Sequence, residues 1–170
     1  MPRMNADRVN RLRRATKLIA PNADESVGFS LVELLLVIGL IAVLVAIALP
    51  LYENYRLKVQ NHQAEQDIIA MSMQVTNFWQ NNRAYPASLA DIGMAGKLDP
   101  WGRPYIYYDV AANGKGGARK DKALNPLNTD FDLYSLGPDG QSKLQITQKA
   151  SLDDIIRAND GTFVGVAADY

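Results

Sequence analysis

Residues 28–50 read GFSLVELLLVIGLIAVLVAIALP, and the reading of this stretch decides the fold. From Phe29 to Leu49 there are 21 residues and a single charge, Glu33. A helix of that length is about 30 Å long, close to the hydrocarbon thickness of a bilayer. Secretory signal peptides have shorter apolar cores, roughly 7–15 residues, ending in small residues before a cleavage site. VAIALP imitates such a site, but the length of the run argues for a spanning helix.

Charge is distributed unevenly around this segment. The 170 residues carry no net charge and no cysteine, which excludes a disulfide framework and a thiolate metal site. Residues 1–28 hold six basic side chains (Arg3, Arg8, Arg11, Arg13, Arg14, Lys17) against three acidic ones, a net of +3. Residues 29–170 hold 12 basic and 15 acidic side chains, a net of −3. A basic head, an apolar segment and a mildly acidic body predict a chain oriented with the head cytoplasmic and the body across the membrane. A neutral total gives no electrostatic case for nucleic acid, so none is expected as a partner.

Glu33 is costly where it stands. A carboxylate at the centre of a spanning helix costs about 2.5–3.5 kcal/mol on insertion scales. Two readings follow. Near the start of the segment, Glu33 can reach the interface and stay hydrated. Alternatively it has a cationic partner made later, the nearest being the α-amino group created if the chain is cut before Phe29.

The residues Gly28, Phe29, Glu33 and Pro50, at these offsets around an apolar run, resemble the N-terminus of type IV pilins and type II secretion pseudopilins. The resemblance implies that a prepilin peptidase cuts between Gly28 and Phe29 and N-methylates Phe29. It implies that Glu33 neutralises the N-terminal amine of a neighbouring subunit during assembly, and that Pro50 is the family's kinking proline. Residues 1–28 are then a cleaved basic leader and 29–49 a transmembrane and filament-core helix.

Beyond Pro50 the helical pattern continues but becomes amphipathic, over residues 50–82. Ala64, Ile68, Met71, Val75 and Phe78 step by four, three, four and three and mark one face. Met73 and Trp79 are expected to join that core. Pro50 lacks one backbone N–H, so a bend near Ile47 is expected rather than termination. The helix should run from about Ser30 to Gln80 and end in QNNRAYP.

Residues 83–170 read as a small globular head, giving an α+β fold: a long N-terminal helix packed on a small antiparallel sheet. DPWGRP is a tight turn leading into a strand at Tyr105–Val110, and FDLYSL, residues 131–136, alternates as a second strand. NGKGGARKDK, residues 113–122, reads as a solvated basic loop. SLDDIIRA, residues 151–158, is expected as a short helix capped by Ser151 with Asp153 and Asp154 in its first turn. TFVGVAADY is a last strand or a docked tail.

DPWGRPY and DLYSLGPDGQ together are similar to the major pseudopilin branch of the type II secretion systems. That branch holds a calcium ion in the loop after the second motif. The resemblance implies ligation by the Leu136 carbonyl, Asp139, Asp153 and Asp154. On the residues alone, Asp139 in PDG is equally a turn residue, and Asp153 and Asp154 are equally helix-start charges. The implied function is a structural subunit of a helical fibre, a pseudopilus that drives export of folded proteins across the outer membrane. The implied partners are further copies, other pseudopilins, the prepilin peptidase, an inner-membrane assembly platform and the membrane itself, with the head in the periplasm.

No chemistry of a recognisable enzyme accompanies these features. His62 is a lone mid-helix histidine, expected at the surface, and no G-x-S-x-G, H-E-x-x-H or P-loop occurs. A type IV pilin, for adhesion, motility or DNA uptake, remains the near alternative to the secretion fibre. A second alternative is an unprocessed, membrane-anchored binding domain.

Overall fold

The computed structural model describes residues 28–170. The expected leader, apart from Gly28, lies outside the described residues. The chain divides into two compact units, one ending at Ala46 and the other spanning Ile47–Tyr170.

One helix, α1, covers Leu31–Asn82, with Pro50 inside it. The proline removes a donor but does not end the helix, as expected of a single lost hydrogen bond between strong helix formers. The long helix is apolar enough over its first part to cross a membrane. Every residue from Gly28 to Val59 is exposed. The amphipathic reading holds farther on: Ala64, Ile68, Met71 and Val75 are buried, while Phe78 is half-buried. Met73 and Trp79 are corrections: Met73 is 62% exposed, and Trp79, 37% exposed, lies at the edge of the buried stripe and outside the core. Trp79 instead stacks on Tyr85 with 6.1 Å between ring centroids, beneath the Arg83 guanidinium.

The head is a four-stranded antiparallel meander in the order β1 (Ile106–Asp109), β2 (Phe131–Ser135), β3 (Ile155–Ala158), β4 (Phe163–Val166). The register is set by pairs such as Tyr107 with Leu133, Tyr134 with Ile156, and Arg157 with Val164. One face of the sheet meets α1: Phe131, Leu133 and Ile155 pack with Ala64, Ile68, Met71, Val75 and Tyr105. Residues that alternate with these point the other way, where Ile156 and Ala158 pack with Leu127, Ile146 and Ala167 under the connecting loops. At about 1.5–3 kcal/mol for each large apolar side chain fully buried, these two layers dominate the stability of the head.

The expected helix at residues 151–158 is not formed. Lys149–Ser151 is a single 3-10 turn, and Ile155–Ala158 is β3, with all four residues buried. Two adjacent isoleucines suit a strand covered on both faces, which has no alternating signature. Ser151 is not a helix cap: it is fully buried, accepting from the Lys143 backbone N–H at 2.8 Å. TFVGVAADY does form a last strand, followed by a 3-10 turn at Ala167–Asp169.

Candidate functional site

Two regions carry the expected site residues. The first is the start of α1. Gly28 and Phe29 precede the helix, and Phe29 is 78% exposed. Ser30 caps it: its Oγ accepts the Glu33 backbone N–H at 3.1 Å, and its carbonyl accepts the Leu34 N–H at 3.1 Å. Ser30-Leu-Val-Glu33 therefore has the spacing of a capping box, a signal present in the sequence and overlooked there. Glu33 stands in the first turn, where the positive end of the helix dipole favours a carboxylate. From Leu31 onward the apolar residues of this segment, among them Leu34, Leu36, Ile38 and Ile41, have no covering layer among the described residues. Such a surface suits lipid or other copies of the same helix.

The second region is the loop after β2. It is tied to the DPWGRP turn by side chains from both motifs. Asp99 is buried; its Oδ1 accepts the Trp101 and Arg103 backbone N–H groups at 3.0 and 2.8 Å. Its Oδ2 accepts the Ser135 hydroxyl at 2.5 Å. Arg103 donates to the carbonyls of Gly137 and Pro138. Gly137 has φ +62°, and a Cβ there would stand 2.2 Å from the Asp153 carbonyl oxygen, so the loop closes tightly on the start of β3.

The four residues expected to bind calcium are not gathered into one donor set. Asp139 and Asp153 come together: the Asp139 N–H donates to Asp153 Oδ2 at 3.1 Å, while Asp139 Oδ1 accepts the Gln141 N–H at 2.7 Å. They line a cavity of about 440 Å³ that Lys149 also borders. Leu136 lies on the same loop and is half-buried. Asp154 turns away. It is fully buried and paired with Arg119, Oδ2 lying 2.5 Å from Nη2 and accepting the Ser142 hydroxyl at 2.6 Å. Among the described residues no three histidine, cysteine or acidic side chains are grouped to hold a metal ion. Since Asp154 is spent on Arg119 and a lysine borders the other two carboxylates, the four residues as a set do not fit a calcium centre.

Arg119 is a residue that sequence reasoning missed. It lies in GARKDK, read as a solvated loop, yet its side chain is only 3% exposed. A second buried pair, Arg157 with Asp130 at 2.6 Å, holds β3 to the start of β2. Arg157 also lies 3.9 Å from the centre of the Phe131 ring. His62 is at the surface as expected, 2.9 Å from Glu65.

Burial, outweighing the attraction of Arg119 and the bond from Ser142, pushes the Asp154 carboxyl up to about 6 from 3.8. A carboxyl raised on folding binds its proton more tightly in the folded state. Its stabilising contribution is complete below the unfolded value and is lost as pH rises through the folded one. The melting temperature should therefore rise as pH falls from neutral toward about 5, by an amount on the order of 1–3 kcal/mol in stability. Asp154→Asn should flatten that rise in melting curves recorded across the range. An identical pH profile in the variant would assign the effect to another group, such as buried Asp132, also shifted upward by desolvation.

No protein-family profile matches the chain, and no solved structure matches it significantly. Curated relatives do. A type IV major pilin of Neisseria gonorrhoeae is 32% identical over 148 residues, covering 79% of this chain and 86% of the relative. A fimbrial protein of Neisseria meningitidis serogroup A is 27% identical over 147 residues, 84% of this chain and 85% of the relative. A type II secretion system core protein G of Pseudomonas aeruginosa is 28% identical over 135 residues, 67% of this chain and 84% of the relative. A capped apolar helix, an amphipathic continuation on an antiparallel sheet and these relatives agree, and the chain belongs to the type IV pilin and type II secretion pseudopilin superfamily.

Proposed function

We propose that this structural, non-catalytic subunit works in a type II secretion pseudopilus, a helical fibre that drives folded proteins out across the outer membrane. The observation that carries this over a surface pilus is the joining of DPWGRPY to DLYSLGPDGQ through Asp99–Ser135 and through Arg103 to the Gly137 and Pro138 carbonyls. These are the motifs in which the chain resembles the secretion branch. A type IV pilus is the second reading, favoured by the Neisseria fimbrial protein, which aligns over 84% of this chain against 67% for the secretion protein.

In this reading the precursor enters the inner membrane with residues 1–28 cytoplasmic and the head periplasmic. Prepilin peptidase cuts between Gly28 and Phe29 and methylates Phe29. The assembly platform then adds the subunit to a fibre of further copies and other pseudopilins, in which each Glu33 meets an N-terminal amine. The exposed apolar surface of residues 29–49 supports such packing, because it leaves lipid only for an equally apolar neighbour while the charge pair supplies the preference.

Intact mass and N-terminal sequencing of protein from the host's membrane fraction test the processing. A chain beginning at Phe29 with one added methyl is expected; a chain still beginning near Met1 would make it an unprocessed anchored domain. Deleting the gene separates the two fibres. Exoproteins retained in the periplasm are expected, whereas normal secretion with loss of surface pili would establish the pilus reading.

A further inference from the structure

We propose that Arg119 takes the structural place of a divalent cation in this head, locking its C-terminal region so that folding does not depend on calcium. A calcium ion would gather about six to eight oxygens into one shell. Here Asp154 and two loop carbonyls are taken by guanidinium groups, while Asp139 and Asp153 accept from backbone N–H groups. Arg119 donates to Asp154 Oδ2, to the Ser142 hydroxyl and to the Lys143 carbonyl. Arg103 takes the Gly137 and Pro138 carbonyls.

The reach of Arg119 is that of a cross-linking ion. Its backbone N–H donates to Asp132 Oδ2 on β2 at 2.6 Å, and its guanidinium lies 4.3 Å from the centre of the Tyr134 ring. One residue therefore joins the segment after β1, strand β2, the 142–143 turn and the start of β3. Asp154 keeps one buried acceptor, Oδ1, without a partner among the described residues. A cation approaching that oxygen would meet the positive guanidinium already bound to the same carboxylate, so arginine and calcium compete for it. A guanidinium is permanently charged and planar, and its two terminal nitrogens here serve two segments at once, Nη2 the Asp154 carboxylate and Nη1 the 142–143 turn. Being part of the chain, it also removes the dependence on ion concentration that ligand-stabilised folds show.

The test uses the full-length chain in detergent, melted in chelator and in millimolar calcium, with calcium binding followed by calorimetric titration. The wild type should melt at the same temperature in both and take up no calcium. Arg119→Met should melt lower by roughly 5–10 °C, because it strands a buried carboxylate. Arg119→Lys, which keeps the charge but has one terminal nitrogen for the two, should fall between. Saturable calcium binding that raises the wild-type melting temperature and disappears in Asp139→Ala would overturn the proposal. So would an Arg119→Met protein as stable as the wild type. If Arg119→Met cannot be recovered folded, the wild-type titration and Arg119→Lys still decide the matter.

Discussion

Glu33→Ala is expected to abolish fibre formation while leaving membrane insertion and cleavage after Gly28 intact. A carboxylate costs about 2.5–3.5 kcal/mol at the centre of a spanning helix, and Glu33, in the first turn, bears that cost once the segment is buried among neighbouring helices. Its place in the first turn, with Ser30 capping the same turn, returns only about 0.3–1 kcal/mol through the helix dipole. Capping alone does not offset a cost of that size; in the proposed fibre a paired amine would. Losing one partner of a buried pair costs about 3 kcal/mol or more, which raises the subunit concentration needed for assembly about a hundredfold. Glu33→Gln separates the two roles, since glutamine serves the capping position as well as glutamate but carries no charge. Both variants should fail to yield sedimentable fibres, and both should show the processed mass. Normal fibres from Glu33→Gln would mean that Glu33 acts as a capping residue and not as a charge.

The features that were legible in the sequence are those written in local pattern. The apolar run, the 4-3-4 stepping of Ala64, Ile68, Met71 and Val75, and the strands on either side of residues 113–128 all express a period that neighbouring residues share. The reading failed where burial comes from elsewhere in the chain. Ile155 and Ile156 face opposite layers, so β3 shows no alternation, and the acidic pair before it imitated a helix start. Met73 and Trp79 flank the apolar stripe of α1 closely enough to look like part of it, but only the residues facing β2 and β3 are covered. Arg119 was illegible for a different reason. Lys115 and Lys122 near it are exposed charges, and the carboxylate that makes its burial tolerable, Asp154, lies 35 residues away. The calcium expectation depended on the same distant fact: Asp139 and Asp153 do meet, but the assignment of Asp154 was decided by an arginine outside the motif.

Phe131→Ala should be the most damaging single change in the head. The ring is fully buried on β2, within the cluster formed with Ile68, Met71 and Val75 of α1. Tyr85 and Tyr107 lie against it at 5.6 and 5.8 Å between ring centroids, both tilted, and the Arg157 guanidinium covers its face. Truncation removes the transfer free energy of the ring and leaves a cavity bordered by residues from α1, β1 and β3, which cannot all close in. The expected loss is about 3–5 kcal/mol, a large part of the 5–15 kcal/mol typical of a folded domain. Arg157 keeps its ion pair with Asp130 and its bond to the residue 131 carbonyl, so its charge stays compensated and the loss should not exceed that range. Urea unfolding should show a lower midpoint with an unchanged slope. Trp79→Ala provides the contrast: a larger ring is removed, but from a position 37% exposed at the edge of the buried stripe, where a smaller loss than for Phe131→Ala is expected. Equal losses from the two substitutions would mean that the Trp79–Tyr85 edge carries as much of the head's stability as the layer against β2.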